Sequence, residues 1–309
     1  MAASHLHAHC PLKRQRCSWP RHCCMQAALP GHKHRLHLQH HSAQHLQLSS
    51  RAHLAQALLE TKIEFLNHRG EKLVGTLSDP ESITHMPPPP PPSAAGAPQN
   101  APQQQLLPPV VILAHGYMSS RNSELLVRLA TAFGRSCKLS SFRFDFSGNG
   151  DSEGEFRYGQ YRSEARELRC AQLHLQQRLG RRVVCMLGHS KGATDVLLYA
   201  AQYGDVPCVV NLAARFELQQ GVLQRLGPAV LQQLEESGQV QLSGRSHKGS
   251  FTWHLRKEDL QDRLDTDMAA ACGSIAETAV LTVHGSADAD VPVQDAHKIA
   301  AAIKAPHEW

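Results

Sequence analysis

From residue 110 to the end of the chain, short apolar runs alternate with segments whose apolar residues recur at helical spacing. The apolar runs predict strands at 110–114, 141–146, 182–187, 206–212 and 279–283. The segments between and after them predict helices at 124–133, 164–179, 193–203 and 293–303. Runs 110–114 and 182–187 suit strands that are buried on both faces of a parallel sheet. Alternating strands and helices therefore predict an α/β fold, with a mostly parallel sheet and helices on both faces.

Three segments depart from this alternation. Residues 62–77 form two alternating runs around the turn 67–70 and predict a β-hairpin at the start of a domain covering 60–309. Residues 78–108 contain six consecutive prolines and cannot build a core, so they predict a solvated loop. Residues 214–271 are helical and irregular in pattern, and we interpret them as a lid insertion over a site.

Residues 1–59 contain no Asp or Glu but seven lysines and arginines, so they account for all of the formal net charge of +5. The segment has two interpretations. A basic, acid-poor start is typical of an organelle transit peptide, which would direct the protein to a plastid. A disordered, low-complexity tail is the alternative, and it would leave the protein cytoplasmic. The histidines of this segment recur at no fixed ligand spacing, so no metal site is predicted.

Composition argues against several function classes. From Glu60 onward the charges nearly balance, so the body offers no basic stripe for nucleic acid. The nine cysteines show no paired spacing, which favours a reducing compartment over a disulfide framework. No apolar run approaches the roughly 18 residues of a membrane span. The glycine-rich stretch 145–150 lacks the third glycine and the helix of a dinucleotide fingerprint, so no cofactor is predicted.

The pattern Gly-x-Ser-x-Gly occurs twice, at 188–192 and at 150–154. Ser190 follows an apolar run and precedes a predicted helix, whereas Ser152 lies in a polar, glycine-rich loop. A serine at a strand-to-helix corner is held in strained backbone with its hydroxyl exposed, and flanking glycines prevent clashes there. We therefore predict that Ser190 is a nucleophile and that Ser152 is structural. The alternative for Ser190 is an ordinary helix N-cap.

Two further motifs follow predicted strands. His115-Gly116-Tyr117 comes directly after the run 110–114, where a hydrolase of this plan forms part of its oxyanion hole. The backbone N–H groups of Tyr117 and Lys191 are accordingly the predicted oxyanion donors. A tight turn with a structural histidine is the alternative. After the last predicted strand, residues 284–292 offer Asp288 as the triad acid, with Asp290 as the alternative.

Residues 142–154, 188–192 and 284–292 together resemble the serine-aminopeptidase-like branch of the α/β-hydrolase superfamily. Within it the chain looks most similar to plant and algal relatives of bacterial cinnamoyl and feruloyl esterases, and the stretch 260–268 resembles the lid of that branch. The resemblance covers 60–309 apart from the proline-rich segment. It implies an α/β-hydrolase fold and hydrolysis of a small-molecule carboxylic ester through an acyl-enzyme. Ser190 would be the nucleophile and Asp288 would orient a histidine, with no cofactor.

The chain departs from the family at the histidine, which family members place about thirty residues after the acid. Here Trp309 is the last residue, 21 positions after Asp288. His297 is predicted to lie on a helix surface, and His307 is expected not to reach Ser190. We therefore expect a C-terminally truncated chain that lacks the last strand and helix, is nearly inactive or insoluble, and exposes 279–283 as a sheet edge. A non-catalytic binding protein and a serine-aminopeptidase-type peptidase are the alternatives.

Overall fold

A computed structural model describes residues 58–80, 109–246 and 248–308. In chain order, strands β1 to β10 of this part are Leu59–Leu66, Lys72–Asp79, Val110–Ala114, Ser140–Phe144, Val183–His189, Cys208–Leu212, Gln239–Ser246, Gly249–Arg256, Ala279–Val283 and His307–Glu308. Helices α1 to α8 are Glu124–Ala132, Tyr161–Leu179, Lys191–Tyr203, Val222–Leu226, Pro228–Ser237, Lys257–Leu264, Met268–Ser274 and Gln294–Ala302. A π-helical turn, Phe133–Cys137, continues α1.

Eight of the strands form one sheet in the order β1-β2-β4-β3-β5-β6-β9-β10. The hairpin β1–β2 is antiparallel and adds to β4 in antiparallel pairing. The remaining neighbours, from β4 to β10, are all parallel. This arrangement confirms the predicted α/β fold. Because the carboxyl ends of the parallel strands meet at one edge, the loops after β3, β5 and β9 come together there.

Alternate residues of β3 enter two separate cores, which explains why the whole strand is buried. Val110, Ile112 and Ala114 pack in the main cluster, with apolar side chains of α2 and α3. Val111 and Leu113 pack on the opposite face, where α1 covers the sheet. A strand with helices on both faces has no polar side, and this is the physical origin of its unbroken apolar sequence.

The two faces of β9 differ. Val280 and Thr282 are buried, while the side chains of Leu281 and Val283 on the other face are 37% and 44% exposed. The sequence had predicted β9 as the free edge of the sheet. This was wrong for its first half, because His307 and Glu308 pair in parallel with Val280 and Leu281. Within the described residues, no strand lies beside the second half of β9 on that side.

Several predicted boundaries shift by one to three residues, among them those of the hairpin. Strand β1 begins at Leu59, one position before the predicted domain start, and β2 includes Ser78 and Asp79, which were predicted to begin the loop. Both polar residues are buried because arginines reach them: Nη1 of Arg143 donates to the Ser78 hydroxyl at 2.7 Å, and Nη2 of Arg181 donates to the Asp79 carboxylate at 2.7 Å. The rest of the predicted tail and proline-rich loop lies outside the described residues.

The insertion at 214–271 was predicted to be helical and irregular, and this was partly wrong. Besides α4, α5 and α6, it contains the antiparallel hairpin β7–β8. Its apolar residues alternate, and this period-2 pattern could have revealed the strands. Val240, Trp253 and Leu255 pack with Phe156 and Tyr158 in a small core separate from that of the sheet.

Two further findings concern helices and thiols. None of the helices in 58–80, 109–246 and 248–308 is both long and apolar enough to cross a membrane. The cysteines of these ranges are all free thiols, namely Cys137, Cys170, Cys185, Cys208 and Cys272.

Candidate active site

Ser190 lies between the last residue of β5 and the first residue of α3, at the sheet edge where the loops converge. Its backbone angles are φ 55° and ψ −116°, a region that residues with a side chain rarely occupy. The N–H of Ser190 donates to the carbonyl of Leu212 at 2.9 Å, and its carbonyl accepts from the N–H of Ala193 at 3.0 Å. These bonds tie the strained residue to the neighbouring strand and to the helix behind it. Such strain persists only where surrounding structure imposes it, and it is common at functional sites.

The glycines on either side make this corner possible. A Cβ atom on Gly188 would lie 2.0 Å from the carbonyl oxygen of Gly192, and one on Gly192 would lie 2.5 Å from the carbonyl oxygen of His115. Any side chain would force apart β5, α3 and the loop after β3. The spacing of the motif therefore reflects backbone crowding around Ser190, as the sequence predicted.

Ser190 lines a cavity of about 280 Å³. Tyr117 and Lys191, whose N–H groups are the predicted oxyanion donors, line the same cavity. Gly116 brings the loop after β3 close to the nucleophile, because a Cβ atom on Gly116 would lie 3.2 Å from Cβ of Ser190. The three predicted residues are therefore brought together, while the role of the two N–H groups remains a prediction.

His115 holds this loop in place. Nδ1 of its ring lies 2.8 Å from the carbonyl oxygen of Gly116, and its Nε2 lies 3.1 Å from the backbone nitrogen of Phe146. Nδ1 therefore donates and Nε2 accepts, which is the bonding of a neutral imidazole. Burial lowers the pKa of His115, which is consistent with that state. The structural-histidine interpretation thus holds for His115 itself.

The Lys191 side chain points into the body of the protein. Its Nζ is 2.6 Å from Oε1 of Glu164 and 5.1 Å from the centre of the Tyr161 ring. Burial opposes its charge, but Glu164 and then Asp195 outweigh burial and raise the pKa of Lys191. The ammonium group is already paired, so it adds little free charge to the cavity.

Asp288 organises the loop after β9. Its Oδ1 accepts from the N–H groups of Asp290 and Val291, both at 2.9 Å, and its Oδ2 lies 3.7 Å from Nε2 of His284. Asp290 and Val291, rather than Asp288, form the cavity wall. Asp288 acts on His189 next to the nucleophile: burial lowers the pKa of His189, and the negative charge of Asp288 opposes this. One oxygen of Asp288 is therefore held by the loop, while its role in orienting a catalytic imidazole remains a prediction.

Within the described residues, His189 is the one histidine that lines the cavity. His297 is exposed on α8, as the sequence predicted. His307 is paired in register with Val280, near the start of β9, and its Nε2 lies 2.9 Å from Oγ1 of Thr282. Since Ser190 follows the carboxyl end of β5, His307 lies toward the opposite end of the parallel strands. Its predicted failure to reach Ser190 agrees with this placement.

Ser152 lies away from the cavity, as predicted. Its hydroxyl donates to the carbonyl of Asp145 at 2.6 Å and accepts from the N–H of Val74 at 2.9 Å. The Asp145 carboxylate accepts from the N–H groups of Arg121 at 2.7 Å and Asp151 at 2.9 Å. The loop 145–151 is thus closed on its own carboxylate.

Three arginines at the cavity were missed in the sequence: Arg215, Arg225 and Arg263. They come from separate parts of the insertion, which was interpreted only as a lid. No motif or spacing marks them, so only their basic character could have drawn attention to them. They meet because the insertion folds back over the sheet edge.

Comparison with known proteins places this geometry in a family. The family model described as serine aminopeptidase, S33, matches residues 108–306. None of the curated proteins compared with the chain matches it. Similar solved structures include an esterase from Pyrococcus furiosus, with TM-score 0.54, 16% identity, and coverage of 81% of this chain and 82% of that one. Est1E from Butyrivibrio proteoclasticus, solved with ferulic acid bound, has TM-score 0.54, 17% identity, and coverage of 79% and 87%.

The α/β-hydrolase GrgF from Penicillium sp. sh18 is also similar, with TM-score 0.60, 16% identity, and coverage of 81% and 89%. At these identities the solved structures share the fold alone. The family match spans most of the described sheet, the corner at Ser190 and the loop of Asp288. The chain therefore belongs to the serine aminopeptidase (S33) family of α/β-hydrolases.

Proposed function

We propose that this chain hydrolyses small-molecule carboxylic esters through an acyl-enzyme on Ser190. The observation that carries the proposal is the strained φ of 55° at Ser190, a residue that lines a cavity together with Tyr117 and Lys191. A serine that only caps a helix has unstrained backbone angles, typically in the β region. The bound ferulic acid in Est1E, a protein of the same fold, adds support for an ester substrate.

In the proposed reaction, the Ser190 hydroxyl oxygen attacks the ester carbonyl carbon while a base takes its proton. The N–H groups of Tyr117 and Lys191 donate to the oxyanion of the tetrahedral intermediate. The bond from carbon to the alcohol oxygen then breaks, and the alcohol leaves with the proton. Water attacks the acyl group in the same way, releasing the acid and restoring Ser190. Asp288 would orient the imidazole base.

The base is the incomplete part of this site. Within 58–80, 109–246 and 248–308, the histidine at the cavity is His189, the chain neighbour of the nucleophile. This observation favours a second candidate function, that of a non-catalytic binding protein. A peptidase acting at a free amino terminus has less support, because the cavity presents three arginines and, as its acidic wall residue, Asp290. A free ammonium group would be repelled by such a wall.

The experiment is acetyl transfer from 4-nitrophenyl acetate, with and without imidazole added as an external base. We expect slow turnover alone, faster turnover with imidazole, and an acetyl group on the peptide containing Ser190 by mass spectrometry. Rapid turnover without imidazole that still needs Ser190 would contradict the expected lack of a positioned base. If Ser190 is never acetylated in either condition, the binding-protein candidate replaces the hydrolase.

A further inference from the structure

Three guanidinium groups meet at the cavity that contains Ser190. Arg215 follows β6, Arg225 lies in α4 and Arg263 lies in α6, and all three line the cavity. Burial lowers the pKa of Arg215, the negative charge of Asp295 opposes this, and the positive charges of Arg263 and then Arg225 add to the lowering. Arg215 is therefore close enough to the other two cations to be repelled by both. Such an arrangement is unfavourable unless an anion offsets it.

Arg263 is buried and is held by neutral groups. Its Nε donates to the carbonyl of Leu218 at 2.8 Å, and its Nη1 donates to the hydroxyl of Tyr161. Its Cζ lies 5.2 Å from the centre of the Tyr158 ring. These contacts fix the direction of the guanidinium group without neutralising its charge.

The other two arginines also contact neutral groups, but they are less buried: Arg215 is half-buried and Arg225 is exposed. Cζ of Arg225 lies 4.9 Å from the centre of the Tyr117 ring, and Nη2 of Arg215 donates to the backbone carbonyl of Asp290. Among the described residues, none of the three arginines forms an ion pair with a carboxylate. Elsewhere in the same part of the chain, buried arginines such as Arg121 and Arg181 do have carboxylate partners. Arg263, which is also buried, thus differs from the buried arginines that serve the fold.

The balance of charge at the cavity is positive. Lys191 is offset by Glu164, which leaves the three arginines against Asp290 in the cavity wall and Asp295 near Arg215. A groove of about 690 Å³ adjoins the cavity and shares Arg215, Arg225 and Asp290 with it. An anionic group could therefore bind between the arginines while the remainder of a larger molecule extends along the groove.

We propose that the arginines Arg215, Arg225 and Arg263 form a carboxylate-binding subsite, so that the substrates are esters bearing a carboxylate near the reacting bond. The statement about substrates rests on the hydrolase function proposed above. Binding of the carboxylate by the arginines does not depend on catalysis. Planar guanidinium groups match the two oxygens of a carboxylate. A carboxylate is preferred to a phosphate because Asp290 and Asp295 offset two of the three arginine charges, and the single charge that is left matches a monoanion better than a dianion.

The test is isothermal titration of the full chain carrying Ser190→Ala, which removes turnover from the measurement. The probes are 4-acetamidobenzoate and its neutral isostere 4-acetamidobenzamide. We expect the benzoate to bind about tenfold more tightly than the benzamide, the effect of one charge-assisted hydrogen bond. Arg225→Gln should weaken benzoate binding about tenfold and leave benzamide binding unchanged. Arg182→Gln, at an exposed arginine away from the cavity, is the matched control and should change neither.

Equal binding of the two probes, or the same loss in Arg182→Gln as in Arg225→Gln, would overturn the proposal. A third probe, 4-acetamidophenyl phosphate, tests the choice of anion, and tighter binding of this dianion than of the benzoate would overturn the carboxylate. Failure of the hydrolase proposal is separable from these results. If benzoate binding needs Arg225 but Ser190 is never acetylated in the parent chain, the carboxylate subsite is supported and the proposed hydrolase function is wrong.

Discussion

Residues 188–192 and residues 150–154 share the pattern Gly-x-Ser-x-Gly, and they place positive φ angles on different members of it. In the first stretch the serine has φ 55°, and neither glycine is at positive φ. In the second, Gly150 and Gly154 have φ 53° and 93°, while Ser152 is not among the positive-φ residues. At Ser190 the backbone strain falls on a residue that lines a cavity. At Ser152 the glycines take up the turn, and the hydroxyl is used to bond the backbone.

The glycines also serve different purposes. Those beside Ser190 allow backbone to approach backbone, whereas a Cβ atom on Gly150 would lie 2.1 Å from the carboxylate of Asp145. The same five-residue pattern can therefore arise from two unrelated packing requirements. What separates the two is the element that precedes the motif: a buried strand before Ser190, and a loop closed on Asp145 before Ser152.

The largest expected difference between the two serines is in activity. We expect Ser190→Ala to lose all imidazole-stimulated acetyl transfer from 4-nitrophenyl acetate, because no acyl-enzyme can form. Ser152→Ala should retain it per folded molecule. Release of 4-nitrophenol, with buffer containing imidazole alone as the baseline, measures both. Equal loss in the two variants would show that the pattern around Ser190 has no special role.

The next largest effect concerns the glycines. Gly188→Ala and Gly150→Ala should each lower the free energy of unfolding by about 3 kcal/mol or more, because the added methyl group meets backbone or a buried carboxylate. Gly70→Ala is the matched control: it has φ 80°, and a Cβ atom there meets nothing within 4 Å. Its cost should be only the backbone strain, about 1–2 kcal/mol. Urea unfolding measures all three, and a cost at Gly188 no larger than that at Gly70 would contradict the crowding.

A smaller effect tests where the strain lies. At Ser190, glycine should be more stable than alanine by about 1 kcal/mol, because glycine tolerates positive φ. At Ser152 the order should reverse. Glycine loses more conformational entropy on folding than alanine does, at a cost of about 0.5–1 kcal/mol, and there is no backbone strain at this position for it to relieve. The measurement is the difference in unfolding free energy between the Gly and Ala variants at each position. The same sign at both positions would mean that the two serines do not differ in strain.

The smallest effect is the pH dependence of the second stretch. Hydrogen bonds from Lys248 and then Arg121 lower the pKa of Asp151 to about 2. Because the folded pKa lies below the unfolded one, this stabilisation is present above pH 4 and is lost as the pH falls toward 2. Asp151 has a side chain that is 41% exposed, so solvent screening limits the effect to less than about 1 kcal/mol.

Between pH 4 and pH 2, Asp151→Asn should accordingly lose less stability than the parent chain does. Urea unfolding at each pH measures this. A steeper acid loss in Asp151→Asn than in the parent would contradict the sign.

The sequence by itself determined the core of this protein and the corner at Ser190. Three elements were predictable because burial leaves a local pattern in the sequence. Strand β3 is buried on both faces, helix α2 along one stripe, and the hairpin β1–β2 at alternate residues. The two serine motifs could be ranked because their difference lies in the residues directly before them. The loop of Asp288 was found because it follows an apolar strand at a fixed distance along the chain.

Only the tertiary structure decided which side chains share the cavity with Ser190. Arg215, Arg225 and Arg263 span 49 positions in sequence, and no periodic pattern joins them. It also decided that Asp290 rather than Asp288 forms the cavity wall, that His115 supports the loop after β3, and that His307 lies by Thr282. These placements depend on how separate elements meet in space, and side-chain contacts between distant elements leave no periodicity in the sequence.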